Sequence, residues 1–165
     1  MESFILAADT ATACNTVAVC RADAAFPFAQ GMPCVSVVAE VTVESPRLHS
    51  ERLLSAVDWV LSEAGLAIEA VDALAISIGP GSFTGLRIGA STWKGLAFAA
   101  GKPLVAVPTL DALARLGAAF EGTVVAAIDA RMQEAYGAVY RYAQGARARL
   151  TEDRVAPMEE ILAGL

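Results

Sequence analysis

The sequence predicts a duplicated α/β fold, one complete lobe followed by the beginning of a second. Three observations carry this. Short β-branched runs alternate with helical ones along the chain, which is the pattern of strands joined through helices. An eleven-residue stretch, Gly79-Pro80-Gly81-Ser82-Phe83-Thr84-Gly85-Leu86-Arg87-Ile88-Gly89, joins a strand-like run to a helix-like one with four glycines and a proline. Finally, Phe4-Ile5-Leu6-Ala7-Ala8-Asp9 and Val124-Val125-Ala126-Ala127-Ile128-Asp129 match in pattern at an offset of 120, and Ala18-Val19 and Arg21 return as Ala138-Val139 and Arg141. A strand-turn-strand unit met twice at one spacing is the mark of an internal repeat.

Taken in order, Phe4 to Ala8 is a first strand, Asp9-Thr10-Ala11-Thr12 a turn, and Thr16 to Cys20 the returning strand of a hairpin. Residues 24–33, with two prolines and a glycine, read as a loop. Val35 to Val43 reads as a third strand on its β-branched content. Ser45-Pro46 breaks it, and a helix starts near Ser50. On that helix Leu53, Leu54, Val57, Val60, Leu61 and Ala64 form one stripe, while Trp59 falls on the polar side. An indole there is either packed at the rim or part of a contact surface. Gly65 ends the helix.

Ala73 to Ile78 is the strand entering the glycine turn, and Thr84 to Ala100 the helix leaving it, with Arg87 and Lys94 its only charges. A helix so apolar must be covered on more than one side. Gly85 and Gly89 share a face that lets another backbone come close. Leu104 to Val107 is a strand, and Thr109 to Leu116 a helix with Thr109 as its cap. Residues 1–107 thus make the first lobe. Residues 108–165 open the second and stop at a helix over Pro157 to Leu162, short of that lobe's last strands and helices.

Composition excludes several classes. At 165 residues, 56% hydrophobic and 18% charged, the chain can bury a real core, yet no apolar run reaches the roughly 18 to 20 residues of a membrane span. With no secretory leader pattern either, a cytoplasmic location is expected. A net charge of −6 argues against independent grip on nucleic acid, with Arg141, Arg147, Arg149 and Arg154 the only basic cluster. Cys14, Cys20 and Cys34 lack metal or redox spacing and read as buried reduced thiols. His49 stands without a second histidine or a cysteine beside it, so no metal site is expected.

The glycine turn fails both standard phosphate templates. Thr84 stands where a P-loop requires its second glycine, with no lysine after it, and again where the dinucleotide fingerprint requires its third. The stretch reads either as a tight turn with close helix packing or as an anion seat assisted by Arg87 at a helix start.

The stretch Gly79 to Gly89 closely resembles the signature of the TsaB (YeaZ) family of bacterial tRNA threonylcarbamoyladenosine biosynthesis proteins. The motifs Ile5 to Thr12, His49 to Leu54, Gly101 to Val107 and Ala127 to Glu134 resemble the family's others in the same order. The resemblance implies an actin-like, ribonuclease H-like duplicated fold, shared with sugar kinases and heat-shock chaperones. It implies an accessory role without catalysis or cofactor: docking a TsaD-type catalytic subunit that works with a TsaE-type ATPase to modify adenosine 37 of tRNAs reading codons that begin with A. It further implies homodimers formed through the same first-lobe helices, and tRNA met through the complex. The interface residues carried over are Leu53, Val57, Trp59, Val60, Gly85, Gly89, Trp93 and Leu96.

Departures from the active relatives agree with that role. Asp9-Thr10 and Asp129 through Arg131 occupy the two hairpin turns where nucleotide-binding relatives place glycines, and neither turn has one. Asp9, Asp129 and Arg131 are left for an anion or magnesium, or for turn and salt-bridge roles. Thr109 and Leu113 stand where the catalytic paralogue carries a metal-binding histidine pair. The competing readings are an independent ATPase, sugar kinase or peptidase, and a homodimeric interaction module.

Overall fold

A computed structural model describes residues 2–28, 32–44 and 50–163, and the chain divides into two units. One comprises Met1–Ile78 with Ser82–Val107, the other Gly79–Gly81 with Pro108–Leu165.

The first unit is a five-stranded sheet with two helices on one face. Its strands are β1 (Glu2–Asp9), β2 (Cys14–Phe28), β3 (Met32–Glu44), β4 (Ala73–Ser77) and β5 (Leu104–Val107), in the order β3-β2-β1-β4-β5. β1, β2 and β3 run antiparallel; β4 pairs parallel to β1 and β5 parallel to β4. The parallel pairs need crossovers, and α1 (Ser50–Ala64) and α2 (Phe83–Ala100) supply them. Strand alternation sends Leu6, Ala8, Val17, Val19, Leu74 and Ile76 to the helix-covered face, where they meet Leu53, Val57, Val60, Leu61, Trp93 and Ala97 in one core. Burial of each large aliphatic side chain stabilises by about 1.5–3 kcal/mol.

Two expectations change here. The loop over 24–33 is instead a continuation of β2 to Phe28 and of β3 from Met32, with Pro27 opposite Pro33 and residues 29–31 outside the described set. Beyond the Glu2↔Asp23 pair β2 has β3 as its one neighbour, and a proline can sit in a two-stranded ribbon without breaking a central ladder. Ser45-Pro46 and His49 also lie outside the described residues. On α1, Leu54 is 43% exposed. It stands one residue, or about 100°, past Leu53, and the buried stripe is narrower than the sequence pattern.

The second unit holds α3 (Thr109–Ala114), a 3-10 turn over Arg115–Gly117, β6 (Gly122–Arg131), β7 (Glu134–Ala143), β8 (Ala146–Arg149), β9 (Arg154–Ala156) and α4 (Met158–Leu162). The order is β6-β7-β8, with β9 pairing the other end of β7, so that β8 and β9 together flank β7 as β3 flanks β2. Its core is split by β7. Ala138, Tyr140 and Tyr142 pack with Leu110 and Ala114 of α3, while Ala135 packs with Ala156 and Ile161 on the other side. The repeat itself slips. Ala7 faces Ala18, but Ala127 faces Gly137, because the second hairpin turn is one residue shorter and carries a bulge between Asp129 and Arg131.

Thr109 does not cap α3. Its hydroxyl accepts from Gly79 N–H at 3.1 Å while its own N–H donates to the Gly79 carbonyl at 2.8 Å, and Pro108 takes the cap position. Nor is the arginine cluster a basic stripe. Asp111 of α3 pairs with Arg147 and Arg149, Asp153 pairs with Arg149, and Arg154 donates to the carbonyls of Glu160 and Ile161. Cys14 is exposed rather than buried, and Cys20 half-buried. Its neighbours and the nearby Glu40 carboxylate push the Cys20 thiol up from its ordinary value, chiefly through burial.

Candidate functional site

The glycine turn begins with a cis Gly79-Pro80 bond, and Gly79 has φ of 109°, in the region that glycine alone enters without strain. Ser82 then starts α2: its Oγ accepts from Gly85 N–H at 3.2 Å, its carbonyl from Leu86 N–H at 2.9 Å, and its own N–H donates to the Ala11 carbonyl at 2.6 Å. That last bond ties the start of α2 to the first hairpin turn.

The tie is tight because of two glycines. A β-carbon added at Gly85 would overlap the Thr10 carbonyl oxygen, and one at Gly89 would overlap Thr10 Oγ1. The close approach anticipated for the Gly85/Gly89 face is therefore made by the β1–β2 turn of the same unit. Thr10 is fully buried, donates its N–H to Ser77 Oγ at 3.3 Å, and its Oγ1 has no hydrogen-bond partner among the described residues. Asp9 Oδ1 accepts from Ala11 N–H at 2.8 Å, which closes an Asx turn. Helix backbone thus packs directly against one side of the Asp9–Thr12 turn. Arg87 does not point into this turn; it lies 3.8 Å over the ring of Phe83, and both side chains are exposed.

The second hairpin turn repeats the aspartate's role. Asp129 Oδ1 accepts from Arg131 N–H at 2.7 Å. Arg131, Met132 and Gln133 then run through positive φ of 69°, 53° and 65°, and Arg131 makes no ion pair among the described residues. This replaces the salt-bridge role open to it from sequence. Beside the turn lies a shallow hollow of about 280 Å³ lined by Asp129, Gln133, Glu134 and Met158 among others. No group of three or more metal-ligating side chains occurs among the described residues.

The interface candidates separate by burial. Leu53, Val57, Val60, Gly85, Gly89 and Trp93 are all buried within the first unit, and Trp93 Nε1 donates to the Leu6 carbonyl at 3.4 Å. They hold α1 and α2 to the sheet and are not available to a partner. Trp59 is 47% exposed and Leu96 half-buried. The exposed residues of the two helices include Arg52, Leu54, Asp58, Trp59 and Glu63 on α1 and Phe83, Arg87, Lys94 and Phe98 on α2, with Phe98 91% exposed. Phe98 was missed from sequence. Its place four residues past Lys94, opposite the Gly85-Gly89-Trp93-Ala97 row, was the signal. No described helix is long and apolar enough to cross a membrane.

The comparisons with known proteins agree with one another. The family model described as "TsaD: tRNA N6-adenosine threonylcarbamoyltransferase" matches residues 37–165. The Haemophilus influenzae "tRNA threonylcarbamoyladenosine biosynthesis protein TsaB" is 50% identical over 94 residues, 54% of this chain and 39% of that protein. The Bacillus subtilis protein of the same name is 31% identical over 150 residues, 91% of this chain and 60% of that one. Among solved structures, "YeaZ from Pseudomonas aeruginosa" superposes with a TM-score of 0.74 at 39% identity, covering 94% of this chain and 68% of that one. The chain spans from about two-fifths to three-fifths of the length of these curated relatives.

Proposed function

The chain belongs to the TsaB (YeaZ) branch of the family that the TsaD model describes and has its duplicated actin-like fold, and from that premise we propose that it is an accessory, non-catalytic subunit in tRNA threonylcarbamoyladenosine biosynthesis. It docks a TsaD-type catalytic subunit through the outer faces of α1 and α2, and a TsaE-type ATPase acts on the assembly. Alone, it pairs with a second copy through the same faces. The complex meets tRNA.

The observation that carries this reading is the exposure of Trp59 and Phe98 on neighbouring helices whose inner faces are fully used. Large aromatic groups held in water on rigid helices are the anchors that a protein partner buries. The internal use of the turn's amides supports the accessory half of the reading, since Thr10 N–H donates to Ser77 Oγ and Ala11 N–H to Asp9 Oδ1.

The test is light scattering after gel filtration of the chain alone and mixed with the TsaD-type subunit, for wild type, Trp59→Ala and Phe98→Ala. A homodimer that yields to a one-to-one heterodimer, with both variants impaired at least tenfold in forming it, is the result expected. Micromolar nucleotide binding by the isolated chain, or heterodimers indifferent to both substitutions, would overturn it.

A further inference from the structure

Two hairpins of the second unit turn through the same geometry with different residues. β7 and β8 are joined by Gln144-Gly145, both at positive φ (52° and 75°), with Ala143 opposite Ala146. β6 and β7 are joined by Met132-Gln133, again both at positive φ (53° and 65°), with Arg131 opposite Glu134 and itself at 69°. A two-residue loop with positive φ at both positions favours Asn, Asp and above all Gly, because a β-carbon is crowded there. The β7–β8 turn follows that rule at its second position. The β6–β7 turn sets three long side chains in a row where none is favoured.

The fold gains little from these side chains. Met132 is 93% exposed, Arg131 and Gln133 are exposed as well, and Arg131 has no ion pair among the described residues. Strain retained for the sake of exposed side chains marks a surface that is used. Beside the turn lies the hollow of about 280 Å³, with Ala127, Ala135 and Met158 in its apolar lining and Asp129 and Glu134 as its carboxylates. Such a hollow suits a lysine or arginine side chain, its stem on the apolar wall and its charge met by the carboxylates. The Met132 thioether, flexible and polarizable, adapts to an apolar pocket on the facing surface. We propose that the β6–β7 tip is a second docking element, built for a protein that offers an apolar pocket to Met132 and a basic side chain to the hollow. The inference rests on the accessory-subunit reading above. It gives a surface to a partner beyond the catalytic subunit, since the α1 and α2 faces are already assigned to that one.

A protein surface fits better than nucleic acid. Asp129 and Glu134 would repel the phosphates that Arg131 attracted.

The experiment adds the TsaE-type ATPase to the complex of the chain with the TsaD-type subunit and measures the affinity of both steps. The proteins compared are wild type, Met132→Asn, Glu134→Lys and, in the neighbouring hairpin, Gln144→Asn. Asparagine tolerates positive φ, so Met132→Asn removes the knob and keeps the turn. Both tip variants are expected to bind the ATPase at least tenfold more weakly, with affinity for the TsaD-type subunit within twofold of wild type. Gln144→Asn should match wild type at both steps, and the thermal midpoint of Met132→Asn should be no lower than that of wild type. A loss of the same size at the first step would make the tip part of the catalytic subunit's site and overturn the inference while the docking reading stands. ATPase binding unchanged in both tip variants also overturns it, as does weaker binding with a lowered midpoint, which would give Met132 a structural role. Wild type that joins the catalytic subunit and never recruits the ATPase overturns the inference alone; wild type that joins neither overturns both readings. A gel shift in which Met132→Asn lowers tRNA retention and leaves ATPase affinity intact would assign the tip to nucleic acid and overturn the inference.

Discussion

Gly89 of α2 sits directly over the side chain of Thr10, so that any β-carbon at position 89 would occupy the place of Thr10 Oγ1. One turn earlier, Gly85 stands in the same way over the Thr10 carbonyl. The two contacts differ in what can give way. A side chain can be trimmed, whereas a carbonyl in a hairpin turn cannot move without the turn.

This difference yields a double-mutant prediction. Gly89→Ala should destabilise the protein by about 1–3 kcal/mol, the usual penalty of overpacking, and Gly85→Ala by at least the upper end of that range. Thr10→Ala costs little by itself, since Thr10 Oγ1 has no partner to lose among the described residues, and it should recover most of the Gly89→Ala loss and none of the Gly85→Ala loss. Gly95→Ala, on the open side of the same helix, should stabilise by about 1 kcal/mol through helix propensity. Urea unfolding of wild type and the six variants, the two doubles with Thr10→Ala included, checks the set; equal rescue of both glycine variants would show that the helix shifts as a whole.

A second prediction concerns alkaline pH. Tyr140 is fully buried, its hydroxyl donates to Asp111 Oδ1 at 2.8 Å, and Arg147 and Arg149 lie over its ring. Burial first, and then the bond to Asp111, push the phenol well above its ordinary value near 10. The neutral form is thus held in the folded state after the unfolded chain has begun to ionise. Its contribution is complete below about pH 10 and falls by about 1.4 kcal/mol per pH unit above it. Tyr140→Phe should be less stable than wild type by about 1 kcal/mol at neutral pH, with the gap closing near pH 11. A gap constant from pH 7 to 11.5 would count against this linkage.

Much of this architecture was legible in the sequence, and the exceptions share a physical cause. The strand and helix order follows from apolar periodicity and the Gly and Pro punctuation, which act over a few residues. What a periodic pattern does not reveal is which neighbour fills a face. The Gly85/Gly89 row announced a close approach but not that Thr10, some seventy-five residues earlier, would make it. The arginines of β7 to β9 looked like a basic surface because Asp111, the residue that neutralises two of them, lies on another element. Six of the eight inherited interface positions proved to be core, because the most apolar residues of α1 and α2 face the sheet.

The second hairpin turn offers a stabilising substitution. Arg131, Met132 and Gln133 all hold positive φ, where a side chain costs about 1–2 kcal/mol per residue relative to glycine. Met132 is 93% exposed, so its side chain makes few contacts to lose. Met132→Gly should therefore raise stability by up to about 1 kcal/mol, less than the full strain because glycine also loosens the unfolded chain. Thermal unfolding that moves downward would mean that Met132 packs with something in solution.

The two hairpins should also differ in protection from hydrogen exchange. β1 lies between β2 and β4, so its amides are held on both edges, while β6 is hydrogen-bonded to β7 on one edge and to no other described strand. In an antiparallel pair alternate residues turn their N–H groups away from the partner. Those of β6 therefore face outward, and an unpaired strand edge opens at low free-energy cost. The core behind β6 is divided between the α3 and α4 sides of β7, which further lowers the cost of local opening. About half of the amides over Gly122–Arg131 should exchange at least a hundredfold faster than those over Glu2–Asp9 in the isolated chain. Uniform protection of the two strands would mean that the β6 edge is covered in solution, and a second measurement at tenfold lower protein concentration would tell whether another copy covers it.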